Sequence, residues 1–199
     1  MQAKSFFTDV LHISDMELVQ ALLNVTEYRH LNKGEMLIRE GERQREFVFL
    51  VKGILRGFFL DVNGYDITDC LAFRCGTPAM SPDSNNAPSQ ISIEALSDCD
   101  LLCMAEDVVE KLMKEYPQLI GIYNAMLRDA LKQHWEVKNM VCQHSAMERY
   151  LWFCKAYPGL IGQVRNKYIA SFLGMTPVTL SRLRRTLREQ EQIAEGYTS

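Results

Sequence analysis

"YIASFLGMTPVTLSRLRRTL", residues 168–187, reads as two short helices around a glycine. With Asn166 as the first position of a helix-turn-helix, the inward places fall on Ile169, Leu173, Met175, Leu180 and Leu183, all apolar. Ala170 is small where the helices must cross closely, and Gly174 stands in the turn, where a positive φ is needed. Thr176-Pro177 opens the second helix. A residue before proline is driven to extended dihedrals, which suits an N-cap hydroxyl, and proline is favoured at the first helical position.

The same stretch answers a question of charge. The whole chain carries a formal net charge of −3. Between residues 165 and 188 stand Arg165, Lys167, Arg182, Arg184, Arg185 and Arg188 with no acid, so the remainder carries −9. Contacts to phosphate respond to the field within a Debye length of about 8 Å, not to the total charge. A net-negative body with a basic head is therefore compatible with binding DNA. On the second helix Leu180, Leu183 and Leu187 face inward. Pro177, Val178, Ser181 and Arg182 are then placed to reach base edges in a major groove, with Arg182 suited to bidentate contact with guanine. Lys167, Thr176 and Thr179 are assigned to phosphates, and Arg185 completes the DNA-facing set.

Ahead of this motif, Ser145-x-x-Glu148 is a capping box that opens the helix ERYLWFCKAY, which ends at Pro158-Gly159. Before it, the run from Ile122 to at least Val141 contains no Gly or Pro and reads as a long helix. Ile120, Tyr123, Leu127, Ala130, His134, Val137 and Val141 follow alternating steps of three and four, a heptad seam. A helix of about 20 residues spans roughly 30 Å, more than a small roll needs for cover, so the seam is expected to join two copies of the chain. An amphipathic helix lying on its own roll has the same spacing. His134 is read as a polar residue tolerated in the seam.

From Glu35 to Phe73 the texture is β: MLIREG, REFVFLVKG, ILRGFFLDVNG and YDITDCLAF are short runs bounded by glycine or polar turns, and Asn63-Gly64 is a hairpin signal. ISIEAL and CDLLCM add two strands, and regular short strands with turn glycines predict a closed antiparallel roll. Residues 78–90, PAMSPDSNNAPSQ, read as a loop. Ser14-x-x-Glu17 predicts a short N-terminal helix, and residues 106–115 a second one that Pro117 ends.

At 199 residues and 47% hydrophobic, the chain can bury a sizeable core. No window approaches the roughly 18 apolar residues of a membrane span, and no signal peptide is evident, so a cytoplasmic protein is expected. Cys70, Cys75, Cys99, Cys103, Cys142 and Cys154 lack C-x2-C spacing, which points to small buried apolar side chains rather than metal ligands. An enzyme of the cupin type would need histidines on the strands, but His12, His30, His134 and His144 leave Glu35 to Met104 without one. No nucleophile–base pairing is visible either, and no enzyme is expected.

The order of parts resembles the Crp/Fnr family of bacterial transcription regulators over nearly the whole chain. MLIREGERQREFVFLVKGILRGFF looks like the first half of the family's cyclic-nucleotide-binding roll, and YIASFLGMTPVTLSRLRRTL like its DNA-reading motif. The resemblance implies an α+β architecture: a jelly-roll-like antiparallel roll at 1–116, a dimerisation helix at 117–142 and a helix-turn-helix unit at 143–199. It also implies a homodimer on an inverted-repeat site in double-stranded DNA, contact with RNA polymerase, and no membrane. With 11 residues after Arg188, a full two-stranded wing is not expected.

The chain departs from the family in three places. Cyclic-nucleotide binders carry Gly-Glu and then Arg-Ser or Arg-Thr where this chain has Cys75-Gly76-Thr77-Pro78 and Pro88-Ser89-Gln90. Residues 75–100 hold Asp83, Glu94, Asp98 and Asp100 but no Lys or Arg, so a cyclic phosphate would lack its guanidinium partner. Cyclic AMP is therefore not the expected effector, and Gly76, Thr77, Ser89 and Gln90 are the candidate donors for some other ligand. No cysteine precedes Cys70, so the iron–sulfur cluster of the oxygen-sensing branch is not expected, nor any other cofactor. Val178 stands where the family often has glutamate, which leaves base preference open. The alternative reading is a ligand-binding roll whose helix-turn-helix serves interaction rather than DNA reading.

Overall fold

The computed structural model describes residues 2–79 and 87–196. The strands are β1 (Glu27–Leu31), β2 (Met36–Ile38), β3 (Glu46–Lys52), β4 (Leu55–Leu60), β5 (Asp66–Ala72), β6 (Ser92–Ala95) and β7 (Cys99–Ala105). They make the roll as two antiparallel sheets, with strand orders β1-β7-β3 and β2-β6-β4-β5. The helices are α1 (Ala3–Ser5), continued by a π-helical turn at Phe6–Val10, α2 (Met16–Val25), α3 (Glu106–Glu115), α4 (Gln118–Gln143), α5 (Ala146–Ala156), α6 (Asn166–Phe172) and α7 (Pro177–Gly196).

Strand periodicity explains why β3 and β7 are continuous apolar runs. Successive side chains point to opposite faces, and both faces of this sheet are covered. Val48 and Leu50 enter the roll core with Leu101 and Cys103. Phe47 and Phe49 point the other way, with Leu102 and Met104, into a cluster shared with Phe6, Phe7, Leu18, Val19 and Leu119. That second cluster attaches the N-terminal helices, α3 and the first turns of α4 to the roll. In the other sheet the outward face lies against the C-terminal helices: Ile54 and Leu71 join Tyr150, Phe153, Ile169 and Leu173 in a third cluster.

Most expected elements are present, with corrections at particular residues. β1 was not foreseen: EYRHL is exposed along most of its length and lacks an alternating pattern, yet it pairs with β7 as an edge strand. The N-terminal turns also lacked a signal, although Phe6 and Phe7 are fully buried. The cap of α2 is Asp15 rather than Ser14. Its carboxylate accepts from Glu17 N at 2.9 Å and Leu18 N at 3.2 Å. A hydrogen bond from Gln118, followed by that from Leu18, holds this carboxyl below the usual range. The capping box of α5 forms as expected, with Glu148 N donating to Ser145 Oγ at 3.4 Å and Ser145 N donating to Glu148 Oε2 at 2.8 Å.

The Asn63-Gly64 hairpin joins β4 to β5, with Gly64 at φ +81° and the Asp61 carboxylate accepting from Asn63 N and Tyr65 N. Of the expected loop at 78–90, residues 80–86 lie outside the described residues. The expectation of uniformly buried cysteines is corrected: Cys99 and Cys103 are buried, Cys70 and Cys154 half-buried, and Cys75 and Cys142 exposed. Among the described residues no helix is long and apolar enough to cross a membrane, and no group of three metal-ligating side chains forms.

Candidate nucleic-acid interface

The two helices of the motif form where the sequence puts them, and three features fix the turn between them. Gly174 adopts φ +61°, and a Cβ there would lie 2.9 Å from Val141 Cγ1 of α4. Thr176 Oγ1 accepts from Thr179 N at 3.1 Å, the N-cap bond expected before Pro177. Arg149 of α5 donates from Nη1 to the carbonyls of Leu173 at 2.6 Å and Gly174 at 3.1 Å, covering acceptors that the end of α6 leaves open. Leu180 is fully buried against α6, whereas Leu183 and Leu187 are half-buried at the same cluster.

The opposite face of α7 is open. Thr176, Pro177, Val178, Ser181, Arg182 and Arg185 are exposed, with Val178 at 60%. Thr179 is half-buried, and its hydroxyl lies 2.9 Å from that of Thr176. Arg184 instead ties α7 to the start of α6, donating to Asn166 Oδ1 at 2.8 Å. Arg185 sits 3.7 Å from Glu189, an exposed pair one turn apart. Arg182 has no acidic partner among the described residues. The base-edge set of the sequence reading is thus brought onto one solvent-facing surface at the N-terminal end of α7.

Lys167 is placed differently. Its Nζ lies 3.7 Å from Asp66 Oδ2 on β5, and 4.7 Å from the centre of the Tyr168 ring. Asp66 belongs to a network that sequence reasoning missed. Arg56 of β4 is 1% exposed, and Nη1 donates to Glu94 of β6 at 2.7 Å while Nε donates to Thr68 Oγ1 at 2.8 Å. Nη1 also donates to Asp66 Oδ2 at 3.5 Å, and Nη2 lies within ion-pair range of Asp66 Oδ1, at 3.1 Å, without hydrogen-bond alignment. The guanidinium is stacked between the rings of Phe58, at 4.4 Å, and Tyr168 of α6, at 3.8 Å. Ser171 of α6 completes the contact: its Oγ accepts from Thr68 N at 2.9 Å and donates to Asp66 O at 3.4 Å. Beside this contact, a cavity of about 70 Å³ opens between Phe73, Gln133, Glu136, Trp152 and Tyr157. Arg74 at its rim donates to Ala156 O at 3.0 Å and so tethers α5 to the roll.

Three of the four candidate ligand residues, Gly76, Thr77 and Ser89, are already engaged within the roll. Gly76 N donates to Leu50 O at 2.8 Å, and Thr77 donates to Arg74 O from its N–H at 3.1 Å and from its hydroxyl at 2.8 Å. Ser89, 2% exposed, donates its hydroxyl to Ile91 O at 2.7 Å and its N–H to Glu42 O at 2.7 Å. Gln90 is exposed. A ligand at these residues would have to displace bonds that close the roll. The described acids of residues 75–100 each have a partner of their own. Glu94 faces outward to Arg56, Asp98 accepts from Lys33 N, and Asp100 pairs with His30 at 2.8 Å. Asp83 lies outside the described residues.

The expected seam on α4 divides between two faces. Ile120, Leu127 and His134 are exposed, as are Leu131 and Trp135 at 60% and 54%. Tyr123 packs on Phe47, with ring centres 5.8 Å apart, and Val137 joins the C-terminal cluster. Ala130 and Val141 are half-buried.

Residues 28–116 match the cyclic nucleotide-binding domain family. A search of the curated proteins finds no match. Among solved structures, FixK2 from Bradyrhizobium japonicum is similar at a TM-score of 0.74 and 20% identity, over 84% of this chain and 86% of that one. The c-di-GMP-responsive global regulator CLP of Xanthomonas campestris is similar at a TM-score of 0.73 and 11% identity, over 89% and 93%. A Eubacterium rectale protein described as a transcriptional regulator of the Crp/Fnr family reaches 0.71 and 17%, over 94% and 88%. The chain has the Crp/Fnr fold.

Within that Crp/Fnr fold, the network around Arg56 had only a faint mark in the sequence. LRGFFL puts one arginine between apolar residues, and the register that sets Arg56 opposite Glu94 becomes visible only when β4 and β6 are paired. Arg149 gave no signal at all, because its partners are carbonyls 24 and 25 residues away.

Proposed function

We propose that this chain is a sequence-specific DNA-binding transcription regulator of Crp/Fnr type, acting as a homodimer on an inverted repeat. The observation that carries the reading is the exposed N-terminal face of α7. Pro177, Val178, Ser181 and Arg182 project from a helix whose start is fixed by Gly174, Thr176 and Arg149. Arg182 reads guanine, Thr176 and Thr179 position the helix on phosphates, and Lys167 and Arg185 add charge. The exposed Ile120, Leu127, Leu131 and Trp135 along α4 supply a surface for the second copy. Such a dimer would act on RNA polymerase from its bound site.

The test is a fluorescence-anisotropy titration of random-sequence duplex DNA at two salt concentrations. Saturable binding that weakens steeply with salt is expected, since phosphate contacts release counterions. Salt-independent binding, or none at low salt, would favour the roll as a ligand module whose helix-turn-helix docks protein.

A further inference from the structure

The place where the roll meets α6 holds four charges that balance only when the two are docked. Arg56 and Lys167 face Asp66 and Glu94, with Glu94 bonded to Arg56 at 2.7 Å and Asp66 between Arg56 and Lys167. If Lys167 leaves, Asp66 keeps Arg56 alone, through a long hydrogen bond from Nη1 at 3.5 Å and the unaligned contact to Nη2 at 3.1 Å, and the set carries one uncompensated negative charge. Lys167 is also the residue of α6 assigned above to DNA phosphate. One ammonium cannot serve both carboxylate and phosphate at full strength.

We propose that Asp66 is a built-in competitor for DNA phosphate, which makes docking of α6 on β5 an autoinhibitory contact. The proposal rests on the DNA-binding reading above and gives it a regulatory handle. The hydroxyl of Ser171, bonded to both Thr68 N and Asp66 O, and the ring of Tyr168, laid on the Arg56 guanidinium, hold the pair in register. Coupling between two binding events is reciprocal. Whatever loosens α6 from β5 raises affinity for DNA, and DNA weakens the docking by the same factor. An effector acting on the strands β4 to β6 would reach the DNA-binding unit through Arg56 and Asp66, without touching α7.

The pair is part-exposed, with side chains 52% and 33% accessible, so its influence is modest and falls with salt. The experiment measures random-duplex affinity at several salt concentrations for the wild type, Asp66→Asn, Asp66→Glu, Lys167→Ala and the Asp66→Asn/Lys167→Ala double variant. Asp66→Asn should bind about two- to fivefold tighter at low salt. Its salt slope should steepen by up to about one. Asp66→Glu should match the wild type, and the gain should vanish when Lys167 is alanine. Ser171→Ala loosens the same docking with no change in charge, so it should raise affinity too and keeps the test open if Asp66→Asn fails to fold. Wild-type binding with no gain in either variant, or a gain that persists without Lys167, would overturn the competition alone. Absence of binding in every protein, wild type included, would instead overturn the DNA-binding reading and this proposal with it.

Discussion

The guanidinium of Arg56 lies 3.8 Å from the centre of the Tyr168 ring, so the first helix of the helix-turn-helix covers the one buried charged side chain of the described residues. Removing that cation strands Glu94 and leaves Asp66 with Lys167 alone. Arg56→Met should destabilise the fold by about 3 kcal/mol, as breaking a buried pair from one side does. Tyr168→Leu, which keeps the ions but not the ring face, should cost about 1–2 kcal/mol. Urea midpoints at constant m-value give both numbers, and losses below about 0.5 kcal/mol for Arg56→Met would mean that the network is solvated.

The cysteines offer a check on burial through chemistry. Burial pushes the Cys70 thiol up to about 12 and the Cys103 thiol up to about 11, and raises that of Cys99 as well. A raised thiol pKa leaves less thiolate at a given pH, and the thiolate is the nucleophile. At pH 8, iodoacetamide should label the exposed Cys142 and, more slowly because burial raises its thiol too, Cys75 of the native protein, and spare Cys70, Cys99 and Cys103 until denaturant is added. Peptide mass spectrometry reads this directly. Rapid labelling of Cys103 would mean that β7 opens in the native state.

Leu127 and Leu131 leave 45% and 60% of their surface exposed on α4. If these residues pack on a second copy, Leu127→Glu should give a monomer in light scattering at micromolar concentration. A dimeric variant would move the interface to another surface and return α4 to covering its own roll, as Tyr123 already does on Phe47.

The departure from the cyclic-nucleotide cassette leads to a further expectation. With Gly76 N bonded to Leu50 O and the Ser89 hydroxyl bonded to Ile91 O, two of the candidate donors are occupied, and residues 75–100 hold no Lys or Arg to pair with a cyclic phosphate. Calorimetry with millimolar cyclic AMP or cyclic GMP should show no saturable heat. A low-micromolar dissociation constant would contradict this and require those bonds to rearrange.

Legibility followed the range of the interaction. The helix-turn-helix could be read because its rules are local: an apolar residue at each inward place, Gly174 at positive φ, and Thr176 before Pro177. The strands of the roll could be read from glycine punctuation, although β1 could not, because an exposed edge strand carries no alternation. The heptad seam identified α4, but spacing alone does not say which stripe the roll covers: Tyr123 packs on its own chain, whereas Leu127 and His134 are exposed. Long-range partnerships left the least trace. Asp66 and Lys167 are 101 positions apart, and only the docking of α6 on β5 brings their charges within 3.7 Å.

The central claim is that two copies of α7 read DNA through Arg182. Selection of bound sites from a random duplex pool tests it most directly, followed by affinities of the wild type and Arg182→Ala for the selected site and its single-base variants. The selected site should be an inverted repeat with half-site centres about 10 base pairs apart. Arg182→Ala should lose about 1–3 kcal/mol together with the preference at one guanine per half-site. Enrichment of no site, or an Arg182→Ala variant that weakens every sequence equally, would contradict it.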